Sequence, residues 1–237
     1  MNLAGISTIH QPSPNFGDRR DGCVPELIVI HYTGMDSTAA ALERLCAPEH
    51  EVSAHYLISE RGTVYRLVDE ERRAWHAGAG AWRGRADVNS RSLGIELAND
   101  GCTPFAARQM SSLESLLREL VGRWSIPASG ILGHSDMAVG RKFDPGPRFD
   151  WKRLASVGLS AWPRRTVESA ANWPEFVRAA KDFGYSPPAE IDRRWRRALL
   201  WSVRSRFRPW AEGDLDEQDM AVVAGLQALR TGCLPVS

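Results

Sequence analysis

Apolar and polar positions along this chain fall into short runs that predict strands first and helices later. Leu27-Ile28-Val29-Ile30-His31-Tyr32-Thr33 is a β-branched run, read as a buried strand that ends in a histidine. Ser37 suits a helix cap, and residues 38–46 then predict a helix that turns Leu42 and Leu45 inward. Residues 54–58 and 64–68 predict two further strands, and Arg61-Gly62 between them is turn chemistry that makes the pair a hairpin. From Trp75 to Arg91 no period holds, which predicts a long loop of the kind that carries function. Residues 93–97 form another strand, interrupted by the single acid Glu96. Thr103-Pro104 reads as the cap and first turn of a helix reaching Trp124, with Met110, Leu113, Leu117 and Leu120 on one face. Residues 131–134 give a last short strand, and residues 1–22, rich in Ser, Pro, Asn, Gly and charge, read as an extended lead-in.

Strands alternating with helices, plus one hairpin, predict the α/β class, with a central mixed β-sheet flanked by helices. The pattern changes after Trp151-Lys152-Arg153-Leu154. Residues 155–172 are rich in Ser, Ala, Gly and Pro and read as a linker, and helical periods follow at 174–183, 189–206 and 216–230 without strand signal. The expected organisation is a domain over residues 1–160 and a small C-terminal three-helix module over 167–237. Arg193, Arg194, Arg196 and Arg197 sit together in that module, but the acidic stretch 212–219 balances them, so they read as a solvated face.

The bulk numbers narrow the function classes. A formal net charge of +1 over 237 residues gives no electrostatic case for nucleic acid or an anionic membrane. No apolar run approaches the roughly 20 residues that span a bilayer, and residues 1–16 show no signal peptide, so a cytoplasmic protein is expected, or a periplasmic one if the true start lies upstream. A monomer is expected. Cys23, Cys46, Cys102 and Cys233 lack metal or redox spacing and read as free thiols. Nine tryptophans suit either apolar platforms for carbohydrate or a large core.

The chemistry gathers where strands end. His31 and His134 each close a strand, and Asp144 follows on a bend stiffened by Pro145-Gly146-Pro147. Two histidines and one carboxylate with an open fourth position describe a catalytic zinc site, whose bound water has a pKa near 7. The same set serves non-haem iron when the first His and the acid lie two residues apart. The ten-residue spacing from His134 to Asp144 favours zinc. Glu96, costly in an apolar strand unless used, is placed to take a proton from the attacking water, and Lys142 to stabilise an oxyanion. On the long loop Trp75, His76, Arg85 and Asn89 are expected to line the substrate groove, with Arg85 pairing a carboxylate.

The motifs Val29-Ile30-His31-Tyr32-Thr33, Ser53-Ala54-His55-Tyr56-Leu57-Ile58, Ala74-Trp75-His76-Ala77-Gly78, Ser92-Leu93-Gly94-Ile95-Glu96-Leu97 and Arg141-Lys142-Phe143-Asp144-Pro145-Gly146-Pro147 occur in the order of a known family. Over residues 25–155 the chain resembles the zinc N-acetylmuramoyl-L-alanine amidases of the AmpD/AmiD type. The resemblance implies the amidase/peptidoglycan-recognition-type fold and cleavage of the amide between N-acetylmuramic acid, or its 1,6-anhydro form, and L-alanine. It implies peptidoglycan fragments as partners, Zn²⁺ on His31, His134 and Asp144, and catalysis by Glu96 and Lys142. Ala54 stands where some distant phage relatives carry a catalytic Tyr, which leaves that role to Glu96. The tail resembles the family's appended peptidoglycan-binding-type module through Phe183-Gly184-Tyr185 and Phe207-Arg208-Pro209. The alternative function is a non-catalytic peptidoglycan-recognition module, a class that typically lacks one of the three ligands. Because every catalytic group precedes residue 155, deletion of 167–237 is expected to spare the chemistry. The tail itself then either binds wall or covers apolar surface of the sheet.

Overall fold

A computed structural model of the chain describes residues 7–164 and 169–230. The strands found there are β1 (Thr8–His10), β2 (Phe16–Asp18), β3 (Leu27–Tyr32), β4 (Tyr56–Ile58), β5 (Val64–Arg66), β6 (Arg72–Ala74), β7 (Ser92–Leu97) and β8 (Ile131–Gly133). The helices are α1 (Thr38–Cys46), α2 (Val88–Arg91), α3 (Ala107–Trp124), α4 (His134–Met137), α5 (Trp151–Ser156), α6 (Trp173–Phe183), α7 (Arg193–Phe207) and α8 (Glu217–Arg230). Six strands make one sheet in the order β1-β5-β4-β7-β3-β8, while β2 and β6 form a separate antiparallel ribbon. The β4–β5 hairpin is the antiparallel step of the large sheet, and its other pairs run parallel.

Strand alternation decides which side chains reach the site. In β3, Ile28 and Ile30 pack with Met110, Leu113, Leu117 and Leu120 of α3, whereas Leu27 and Val29 enter a second core on the opposite face. A period of two therefore puts His31 on the face of Val29, away from α3. In β7 the same rule sends Leu93, Ile95 and Leu97 into the α3 core and leaves Ser92, Gly94 and Glu96 on the side of His31. The parallel register sets His31 opposite Glu96. The acid in an apolar strand is thus an outward position of a two-faced strand.

The structure corrects several expectations. The lead-in contains β1, which adds to the sheet beside β5, and β2, which pairs with β6. The long loop is preceded by β6 and holds α2 at its exit. Thr103-Pro104 does not open α3, which begins at Ala107. Thr103 is instead tied to Asp100 Oδ1 through its backbone N–H and its hydroxyl, at 2.8 and 2.9 Å. His134 lies one residue past its strand, as the first residue of α4. Cys23, Cys46 and Cys102 are free thiols, and Cys233 lies outside the described residues.

The C-terminal helices do not stand apart. α6 starts behind an Asn172 cap and α7 behind an Asp192 cap. Their residues Phe176, Phe183, Leu199, Val203 and Phe207 form one core with Leu27, Val29 and Leu132 of the sheet and Trp82 of the long loop. Trp173 and Trp195 pack against that core, and Trp201 meets Phe143 edge-on at 4.9 Å between ring centres. Arg193, Arg194 and Arg197 are exposed on α7, as a solvated face requires. Each large apolar side chain buried there contributes about 1.5–3 kcal/mol. Deleting residues 167–237 is therefore expected to yield protein that aggregates or melts far below the full chain, read by size exclusion and thermal unfolding. A monodisperse truncation with the full-length midpoint would refute this shared core as a source of stability.

Candidate metal centre and catalytic cavity

β3 delivers His31 at its C-terminal end, β8 runs into α4 to deliver His134, and the Asp144 bend folds back over both. The backbone stitches the last two together, since Ser135 N–H donates to the Asp144 carbonyl at 3.0 Å. The three side chains are buried. His31 Nδ1 lies 3.0 Å from His134 Nδ1 and 2.8 Å from Asp144 Oδ2, and His134 Nδ1 lies 3.1 Å from that same oxygen.

The outer partners fix the imidazole tautomers. Ser92 Oγ–H donates to the Val88 carbonyl at 2.6 Å, so Ser92 Oγ accepts from His76 Nε2–H at 3.1 Å. His76 Nδ1 is then bare and accepts from His31 Nε2–H at 3.0 Å, which leaves His31 Nδ1 without a proton. His134 Nε2–H donates to the Ala77 carbonyl at 2.9 Å, and that leaves its Nδ1 bare as well. Burial, reinforced by His134, pulls the His31 pKa down to about 4, against the opposing pull of Asp144, so the ring is neutral near pH 7. Two bare imidazole nitrogens and a carboxylate oxygen thus face one another, an arrangement that repels itself without a cation and could hold a metal ion.

A cavity of about 360 Å³ opens over these ligands and is lined also by Glu96 and Lys142. Glu96 Oε2 is shielded from water and has no hydrogen-bond partner. Burial, then the nearby Asp144, pushes its pKa up to about 8, while Lys142 pulls the other way. A carboxylate so placed is poised to exchange a proton in the cavity. Gly94 is required beneath it, because a Cβ there would lie 2.4 Å from the His76 ring.

The expected groove residues separate into distinct places. Trp75 and His76 line the cavity. Asn89 is buried and its Oδ1 accepts from the backbone N–H groups of His76 and Ala77, at 3.1 and 2.8 Å, so it shapes the loop that carries them. Arg85 is a correction, since it pairs with Glu26 at 2.8 Å on an exposed surface and does not line the cavity. Its backbone bridges to Trp82, which turns this part of the loop toward the C-terminal helices. Arg44 of α1 and Arg141 supply the cavity's guanidinium groups. Arg141 adjoins Lys142 in the motif and was within reach of sequence reasoning. Nothing in the helical pattern distinguishes Arg44 from any exposed arginine.

Comparison with known proteins agrees with this geometry. The pattern of the Amidase_2 family, N-acetylmuramoyl-L-alanine amidase, matches residues 21–147. N-acetylmuramoyl-L-alanine amidase AmiD of Escherichia coli (strain K12) is 30% identical over 230 residues, covering 85% of this chain and 82% of AmiD. The structure of E. coli AmiD in complex with the substrate anhydro-N-acetylmuramic acid-L-Ala-D-gamma-Glu-L-Lys superposes with a TM-score of 0.79 at 29% identity. It covers 90% of this chain and 96% of that one. AmpDh3 from Pseudomonas aeruginosa in complex with anhydromuramic pentapeptide gives a TM-score of 0.80 at 29% identity, over 97% of this chain and 98% of that one.

Proposed function

Because this chain belongs to the N-acetylmuramoyl-L-alanine amidase family, we propose that His31, His134 and Asp144 hold zinc and that Glu96 and Lys142 carry out the hydrolysis. The protein is an amidase that cleaves the bond between N-acetylmuramic acid and L-alanine in peptidoglycan fragments. The observation that carries the zinc reading is the convergence of three unprotonated donors within 3.1 Å of one another, beside a carboxylate without a partner. All three ligand positions being filled also argues against the non-catalytic recognition reading.

Zinc held by His31, His134 and Asp144 would acidify a bound water and act as a Lewis acid there. Glu96 takes a proton from the attacking water as its oxygen bonds to the lactyl carbonyl carbon. Lys142 offers its ammonium to the oxygen that becomes negative, an interaction that strengthens as charge develops. Glu96 then passes the proton to the alanine nitrogen, the carbon–nitrogen bond breaks, and a peptide with a free L-alanine amine departs. Trp75 offers a ring to one face of the substrate, while Asn89 and His76 hold the loop that presents it.

We read the substrate as the soluble anhydro-muropeptide, on the support of the ligands bound in the two similar structures. Cytoplasmic residence would hand the protein those fragments, and fractionation of cells carrying a tagged copy checks it. The deciding assay offers purified anhydro-muropeptide to the native, chelator-stripped and zinc-restored protein. Release of peptide by the first and third alone is expected, and full activity after stripping would sink the zinc reading. A paired test concerns the stem carboxylates. Arg85→Ala is expected to leave KM within about twofold, whereas Arg44→Ala raises it roughly tenfold or more, the cost of losing a charged hydrogen bond. The reverse pattern would return the recognition role to Arg85.

A further inference from the structure

Asp136, two residues past His134, is a buried carboxylate whose side-chain partners come from the far end of the chain. Arg206 Nη1 donates to its Oδ2 at 2.5 Å and the Tyr185 hydroxyl donates to its Oδ1 at 2.7 Å. The Gly133 backbone N–H donates to Oδ2 at 2.8 Å. Arg206 reaches further, with Nη2 donating to the Ile131 carbonyl of β8 at 2.9 Å and the guanidinium stacked 4.2 Å above the Trp151 ring. Ser202 Oγ–H donates to the Ser135 carbonyl at 2.7 Å, and Ser135 is the residue whose N–H holds the Asp144 carbonyl. Tyr185, Ser202 and Arg206 are themselves buried, and none of them lines the catalytic cavity.

α4 is four residues long, too short to hold its own shape. Metal bonding demands that ligands stay within about half an ångström of their productive places. The side-chain grips on Ile131, Ser135 and Asp136 come from α7 and the residue after the α6 turn, beside the local Gly133 N–H, and they flank His134 on both sides in sequence. We propose that the C-terminal helices act as a clamp on the metal centre: Tyr185, Ser202 and Arg206 are positioning residues that hold His134 and Asp144 in ligating geometry through Ser135 and Asp136. The proposal rests on the metal reading given above. It makes the tail part of the apparatus that holds the ion, whatever it contributes to substrate binding.

The test uses the full chain with Tyr185→Phe, Ser202→Ala and the double variant, each of which removes a hydrogen bond and strands no charge. Zinc dissociation constants come from competition with a chromophoric chelator, and cobalt(II) substitution reports ligand geometry through its visible absorption. The clamp predicts that the double variant binds zinc roughly 10- to 100-fold more weakly, with an altered cobalt spectrum. Asp219→Asn is the control, because it breaks the tail's other buried ion cluster with Arg204 and Arg208 without touching Asp136. It should lower the melting temperature and leave zinc affinity alone. Wild-type affinity and an unchanged cobalt spectrum in the double variant would overturn the clamp, as would equal weakening by Asp219→Asn. If the double variant fails to fold, Ser202→Ala alone is judged by the same two readings. Failure of the wild-type protein to bind zinc would remove the metal reading itself and the clamp with it.

Discussion

His134→Ala is expected to leave the protein without zinc after dialysis and with turnover no higher than a no-enzyme control. Two remaining donors cannot hold an ion against its hydration, and a structure with three protein ligands has none to spare. His31→Ala and Asp144→Ala should behave alike, since the three donor atoms lie at nearly equal separations. Loss of fold could mimic this result, so the metal-free forms must be compared. Without an ion the facing lone pairs repel, and deleting one relieves that repulsion. The metal-free variants should therefore unfold no earlier than metal-free wild type, beyond the cost of a small cavity. Metal content, a melting curve and an amide-cleavage assay on the same samples separate the cases. One equivalent of zinc retained in any of the three would show that the assigned ligand is not one.

Glu96→Gln is expected to keep its metal and its KM while kcat falls by about 10²- to 10⁴-fold. Glutamine matches the shape of the acid but has no site for the water's proton. Burial raises the Glu96 pKa toward about 8 in the metal-free protein, and a bound dication would draw it down again. Because a base acts only when deprotonated, kcat/KM should drop as pH falls through that pKa. The glutamine variant should lose this acid limb along with its rate. A variant turning over at near the native kcat would make Glu96 a structural residue only.

Much of this arrangement was legible before any coordinates, and the reasons are local. β3 and β7 are six residues each, long enough for a β-branched run to stand out, and His31 and Glu96 sit near the ends of such runs. Ser37 caps its helix by accepting the Ala40 N–H on its own hydroxyl, and Gly62 N–H closes its turn on the Ser59 carbonyl, so neither needs a distant partner. β1 and β2 were invisible because three residues with mostly exposed side chains carry no pattern, and backbone pairing alone makes them strands. α3 starts late because Asp100 captures Thr103 in a turn of its own. Arg204, Arg206 and Arg208 are the largest miss. Arginine is ordinarily read as surface, but here Asp219, Asp136 and Asp216 pair with these side chains, from as far as 70 residues away. Arg85 erred in the opposite sense, since a neighbouring acid from another segment claimed it first.

The two-faced strands also make the enzyme sensitive to phase. β3 and β7 lie in parallel register, with the α3 core on one side and, on the other, His31 and Glu96 at the edge of the second core. Inserting or deleting one residue inside 92–97 would rotate everything beyond it by half a period. Glu96 would then be driven against α3 and a leucine or isoleucine would face the cluster of His31, His134 and Asp144. Both faults arise from one event, and no second substitution on the same strand repairs both. Length changes in the chain should accordingly be absent from these two strands and fall instead in exposed turns such as 156–158. A library of single-codon insertions, selected for amidase activity, would show two silent windows at 27–32 and 92–97.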